Sequence, residues 1–174
     1  MTEWVVLLRG VNVGGVTVRS AELRDLLAGL GFAAARTYLA SGNARVASDL
    51  DAAALRGLLE PALSERFGYD ATVLVAPLAH VDRVVREFPF DETDGTRQPW
   101  VLFCADEGTR DELTGAAASL DPDVDPVRAG QGVVYWHPEK GRSTDTPFAK
   151  VVARATYRAR TTNRNLRTLR RILD

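Results

Sequence analysis

The chain opens on a short apolar run, Trp4 to Leu8, reading WVVLL without a break. Continuous apolarity over so short a stretch predicts a central strand covered on one or both faces. From Ser20 the period changes. Leu23, Leu26, Leu27 and Leu30 recur at i, i+3, i+4 and i+7, the spacing of one helix face. Ser20 offers a cap, Glu22 suits the positive first turn, and Gly31 ends the segment. The runs ARTYLA and ARVAS flank Ser41-Gly42-Asn43. Gly and Asn tolerate positive φ, so the pair reads as a hairpin. A second helix is predicted from about Asp51 to Phe67, with Leu55, Leu58, Leu59 and Leu63 on one side and Pro61 as the point where it would kink. Gly68 ends it, and ATVLVA, Ala71 to Ala76, is a fourth strand.

The order β-α-β-β-α-β over residues 1–77 is the split-βαβ, ferredoxin-like plan. Residues 78–174 read as a looser copy. A helix carrying Val81, Val84 and Val85 leads into the connector FPFDETDGTRQP. Then come strand WVLFCA, helix Thr109 to Leu120, strand DVDPVRA, a turn at Gly130 to Gly132 and strand VVYW. Helix Pro147 to Tyr157, a short strand near Arg158 to Arg160 and a last helix from Asn163 complete it. The predicted class is therefore α+β, a two-part α/β sandwich with a ferredoxin-like first part and a basic C-terminal helix closing the second. Each part alone would bury little surface, so a shared interface is expected.

Right-handed crossover makes the first two strands of such a unit parallel, with the third between them and antiparallel to both. Their carboxyl ends then share one edge. That edge receives LLRGVNVGG, which places Arg9, Asn12, Gly14 and Gly15 beside the Ser41-Gly42-Asn43 turn and the amino end of the Ser20 helix. Glycine-bearing loops at a helix amino terminus suit a phosphate or carboxylate. Gly10-x-x-x-Gly14-Gly15 is neither the dinucleotide fingerprint nor a P-loop, so no named nucleotide fold is implied. A purely structural role, with the glycines serving turns and Arg9 an ion pair, stands as the alternative.

In TTNRNLRTLRRIL, Thr162 or Asn163 is the predicted cap, and Leu166, Leu169 and Leu173 mark the buried face. Arg164 would then fall in the first helical turn, where a cation opposes the dipole and calls for a carboxylate or a ligand.

Taken together, LLRGVNVGG, ELRDLLAGLGF, RTYLASGN and TNRNLRTL resemble bacterial proteins of the domain of unknown function 1697 family, over nearly the whole chain from Leu7 to Leu173. The resemblance implies a two-part α+β fold and no established activity. The family's R-G-[IV]-N-V-G-G is met by Arg9 to Gly15, its S-G-N by Ser41 to Asn43, and its T-x-R-N-W-x-T by Thr162, Arg164, Asn165 and Thr168. Leu166 stands where that pattern has tryptophan, which favours a buried leucine contact over stacking.

Composition narrows the chemistry. One cysteine and two histidines exclude a disulfide framework and make structural zinc implausible, and no cofactor is implied. Cys104, in VLFCAD, reads as a core residue; His80 and His137 read as surface or satisfied structural histidines; Asp121, Asp123 and Asp125, interleaved with prolines, read as a solvated loop. No catalytic set is recognisable. The absence of a long apolar run and the opening MTEW predict a cytoplasmic protein that does not span a membrane. Net charge is −1, yet residues 139–174 carry 10 basic and 3 acidic side chains. Such a tail either neutralises an acidic body or faces an anion. The expectation is an anion-binding protein holding a phosphate-bearing small molecule or nucleic acid through Arg9, Asn12, Gly14, Gly15, Ser41, Gly42, Asn43, Arg164, Asn165 and Thr168. An enzyme using the same corner, or a structural or protein-interaction domain, are the alternatives.

Overall fold

A computed structural model describes residues 1–12, 15–39 and 42–174. Two compact units emerge, the first built of Met1–Asp82 with Arg170–Asp174, the second of Arg83–Leu169. In chain order the elements are β1 (Thr2–Leu8), α1 (Ser20–Gly29), β2 (Arg36–Tyr38), β3 (Asn43–Ser48), α2 (Ala52–Phe67), β4 (Val73–Pro77) and α3 (Leu78–Arg86). There follow β5 (Trp100–Cys104), α4 (Glu107–Ala117), β6 (Val127–Gly130), β7 (Val133–Trp136), α5 (Pro147–Val152), α6 (Ala155–Arg158), β8 (Thr161–Asn165) and α7 (Leu166–Leu173). The fold is α+β, with two four-stranded antiparallel sheets ordered β2-β3-β1-β4 and β6-β7-β5-β8. Each sheet inserts its third strand between the first two, roughly the ferredoxin-like order.

In the first unit, β1 alternates about a shared register. Val6 and Leu8 face Leu23 and Leu27 of α1 and Leu59 and Leu63 of α2, while the other parity, Val5 and Leu7, is also fully buried. Burial on both faces is what the uninterrupted run WVVLL requires. Asp51 caps α2 by accepting from Ala54 N at 2.8 Å, and Gly68 ends it in the left-handed region at φ 70°. Pro61 sits inside a helix that continues through it, and Leu58 turns outward rather than joining Leu55, Leu59 and Leu63. On the other face Arg45 pairs with Glu3 at 2.8 Å and donates to the carbonyl of Ile172 at 3.3 Å, tying the last helical turn to this sheet.

The second core gathers Leu102, Cys104, Leu113, Val134, Trp136 and Phe148. Several boundaries depart from the sequence reading. The segment 147–157 is two helices, because the chain turns at Ala153 and Arg154 before Ala155. The strand expected near Arg158 to Arg160 lies at Thr161–Asn165, antiparallel to β5 with Val101 opposite Arg164. Arg164 is thus in a strand and not in a first helical turn. Asn165 caps α7 instead of Thr162 or Asn163, its Oδ1 accepting from Arg167 N at 3.0 Å. Asp125 is not a solvated loop residue: at 2% exposure its carboxylate accepts from Trp136 Nε1 and Phe148 N, both at 2.9 Å. His137 is buried against Phe90, their rings stacked at 5.5 Å. No helix among the described residues is long and apolar enough to cross a membrane.

Candidate functional site

The two glycine-bearing bends of the first unit are neighbours. Leu8 N donates to Gly42 O at 2.8 Å, and Arg9 N donates to Thr72 O at 3.0 Å, so β1 ends clamped on both sides. Gly42, at φ 71°, lies so close that a Cβ there would stand 2.7 Å from Val11 Cγ2 and 2.8 Å from Leu8 Cβ. The amino end of α1 joins the same corner. Ser20 Oγ donates to Leu39 O, and Thr37 Oγ1 donates to Ser20 O, each at 3.1 Å.

Backbone strain concentrates here. Among the described residues the non-glycine positions with positive φ are Asn12 at 59° and Leu39 at 55°, joined by Gly10, Gly15 and Gly42. A leucine in the left-handed region costs about 1–2 kcal/mol, so the surrounding contacts must hold it there.

The predicted site residues divide by role. Asn12 is a loop clamp: its Oδ1 accepts from Val18 N at 3.0 Å and its Nδ2 donates to Val18 O at 3.2 Å. Asn43 is 1% exposed and donates to Tyr38 O at 2.9 Å across the hairpin. Both amides therefore shape the corner. Arg9 is half-buried and Gly15 exposed at its rim. Gly14 and Ser41 lie outside the described residues. Arg164, Asn165 and Thr168 belong to the second unit. There Arg164 is 6% exposed and donates to Thr162 Oγ1 and Asn163 O, both at 2.8 Å. Burial draws its pKa down to about 10, leaving it a cation at neutral pH. Leu166, where the resembled pattern has tryptophan, is fully buried.

The amino end of α1 lacks the side-chain cap that its sequence predicts. Ser20 does not cap α1, because its hydroxyl is committed to Leu39. The capping position belongs to Arg19, which makes no side-chain cap bond. Glu22 of the first turn pairs instead with Arg66 at 3.2 Å. By contrast α2, α4 and α5 are capped by Asp51, Asp106 and Thr146. The amino end of α1 thus presents amides that no side chain satisfies among the described residues.

The second unit supplies the internal comparison. Cys104 N donates to Gly132 O at 3.0 Å and Ala105 N to Arg160 O at 2.8 Å, repeating the bonds of Leu8 and Arg9. Gly132, at φ 68°, repeats Gly42. From there the units diverge. Only Ala105 and Asp106 separate β5 from α4, whereas residues 9–19 separate β1 from α1. Asp106 accepts from Thr109 N at 2.7 Å, and bonds from the Thr109 amide and hydroxyl hold its carboxyl below the ordinary range. The α4 terminus carries its own carboxylate; the α1 terminus has Arg19 at the equivalent place.

Comparison with known proteins agrees with this architecture. Residues 1–135 match the model of a family described as Protein of unknown function (DUF1697), a match that ends before the Thr162–Thr168 motif. Among solved structures the chain is similar to the conserved bacterial protein SP0830 from Streptococcus pneumoniae, at 24% identity and a TM-score of 0.78, covering 99% of this chain and 97% of that one. At that identity the likeness carries the fold alone. No curated protein matches significantly.

Proposed function

Since the chain belongs to the DUF1697 family, whose description assigns no activity, we propose from its own geometry that it binds a phosphate- or carboxylate-bearing ligand at the corner formed by Arg9, Gly15, Gly42 and the amino end of α1. The observation that carries this reading is the difference between the two corners. The second unit makes the same strand-to-helix turn with Ala105 and Asp106 alone, so residues 9–19 exceed what the fold needs. Excess connection at a strand end is where ligand contacts concentrate. The second unit also caps its helix with the Asp106 carboxylate, while the equivalent place in the first is held by Arg19, which makes no side-chain cap bond, and Glu22 of the first turn is drawn away to Arg66. A free helix amino terminus with adjacent guanidinium groups attracts phosphate or carboxylate. Asn12 and Asn43 serve by holding the bends, and Gly10 and Gly15 by keeping the backbone open to close approach.

The test is thermal stabilisation by inorganic phosphate, nucleoside mono- and triphosphates and small carboxylates, since a ligand of the folded state raises Tm. Arg9→Ala should abolish the rise. Arg19→Asp should raise the basal Tm, an aspartate cap contributing about 1 kcal/mol, and also abolish the response by occupying the anion's place. If no anion shifts Tm, or if the shift survives both substitutions, the reading is wrong.

A further inference from the structure

A second surface, independent of that corner, carries chemistry that the first reading does not use. Residues 147–160 contain Lys150, Arg154, Arg158 and Arg160 and no acidic residue. They fold as α5, a turn at Ala153 and Arg154, and α6. Phe148, Ala149 and Val151 are buried, while Lys150, Arg154 and Arg158 are exposed. Several other arginines of this unit are paired with carboxylates: Arg110 with Asp111 and Glu107, Arg142 with Asp145, and Arg160 with Glu112. The side chains of Lys150, Arg154 and Arg158 take part in no hydrogen bond or ion pair among the described residues.

The residues exposed between these cations are Ala153, Ala155 and Thr156, with Ala159 exposed just beyond Arg158. Alanine adds no bulk, so a chain of phosphates can approach the backbone closely. It also supplies no anchor of the kind that dominates protein–protein affinity, where buried tryptophan, tyrosine and arginine carry the binding. Cations without apolar anchors suit a partner read through its charge alone, and guanidinium forks match phosphate oxygens. We propose that the α5–α6 corner docks the phosphate backbone of a nucleic-acid strand, without regard to base sequence. The fixed fourth cation, Arg160, lies over the Tyr157 ring at 5.6 Å and packs this corner together rather than facing the strand.

Three phosphate contacts set the magnitude. For a single strand log K falls with log salt at a slope near −0.7 per contact, so roughly −2 in all, or about a 20-fold loss of affinity between 50 and 200 mM salt. Fluorescence anisotropy of the full chain with labelled oligothymidylate and a mixed-sequence strand of equal length measures it. Both strands should bind alike with that slope. The triple variant K150E/R154E/R158E should bind at least tenfold more weakly with unchanged circular dichroism. R24E/R36E/R56E, which alters net charge equally through exposed residues of the first unit, should bind as the parent does. Absence of binding at 50 mM salt, a slope near zero, equal loss in both triple variants, or tighter binding of polyglutamate than of the strand each overturns the proposal. Arg9→Ala separates it from the ligand corner: loss of strand binding in that variant moves the site to the first unit.

Discussion

Replacing Gly42 by alanine tests the central geometric feature of the first unit, the contact between its two bends. Two penalties add. At φ 71° an alanine is held in the left-handed region, which costs about 1–2 kcal/mol. Its Cβ would also stand 2.8 Å from Leu8 Cβ and 2.7 Å from Val11 Cγ2. Leu8 Cβ is fixed to a central strand, so relief requires backbone displacement, and overpacking of this kind costs roughly 1–3 kcal/mol more. Gly68→Ala isolates the first penalty, because Gly68 has almost the same φ, 70°, and open space where a Cβ would point. The expected losses are about 1–2 kcal/mol for Gly68→Ala and about 2–5 kcal/mol for Gly42→Ala. In a unit of fewer than 100 residues each kcal/mol moves Tm by about 4–8 °C. Urea titration followed by far-ultraviolet circular dichroism reads both variants against the parent. Equal losses would refute the close approach of the bends, and with it the premise of the ligand corner.

Further predictions concern the second unit. Asp125→Ala strands the Trp136 indole and the Phe148 amide, and should cost about 2–5 kcal/mol in urea titration, with Asp125→Asn falling between it and the parent. Cys104 is buried, and burial, reinforced by Asp106, pushes its thiol up to about 12. A disulfide reagent at pH 8 should therefore label it only as fast as the unit opens, and rapid labelling of the folded chain would contradict its place in the core. Burial and then Arg97 lower the pKa of His137 below the ordinary histidine value, Asp94 and Asp91 acting the other way. The unfolded chain thus takes up this proton at a higher pH than the folded one, so stability should fall as pH drops through the ordinary range near about 6.5 toward the lowered folded value. His137→Phe should flatten that part of the Tm-against-pH curve; an unchanged curve would show that this side chain does not contribute.

The sequence made the element order legible because periodicity is local. WVVLL and the Leu23–Leu27 stripe declare strand and helix without reference to the rest of the chain. What it hid depends on partners far along the chain. TTNRN has the polar look of a helix start, yet it pairs with β5, roughly 60 residues earlier, and Thr161 and Thr162 have the branched side chains that a strand accepts. Nothing in AKVVARAT marks the break at Ala153, since neither Gly nor Pro is present. Asp125 looks the same as Asp121 and Asp123 in DPDVDP, and only the folded positions of Trp136 and Phe148 distinguish it. At the corner, the glycines were legible as turn residues and their meeting followed from strand order. The use of Asn12 as a clamp and the loss of Ser20 as a cap were not, because each hydrogen bond runs to a loop whose course no local pattern fixes.

The grouping of Arg170–Asp174 with Met1–Asp82 has a consequence for biosynthesis. A ribosome delivers the first four strands early, but Arg45 finds the Ile172 carbonyl only after the whole intervening unit has been translated. During that interval the nascent amino-terminal sheet waits without its final turn of helix, and it is then that a chaperone or a protease would meet it.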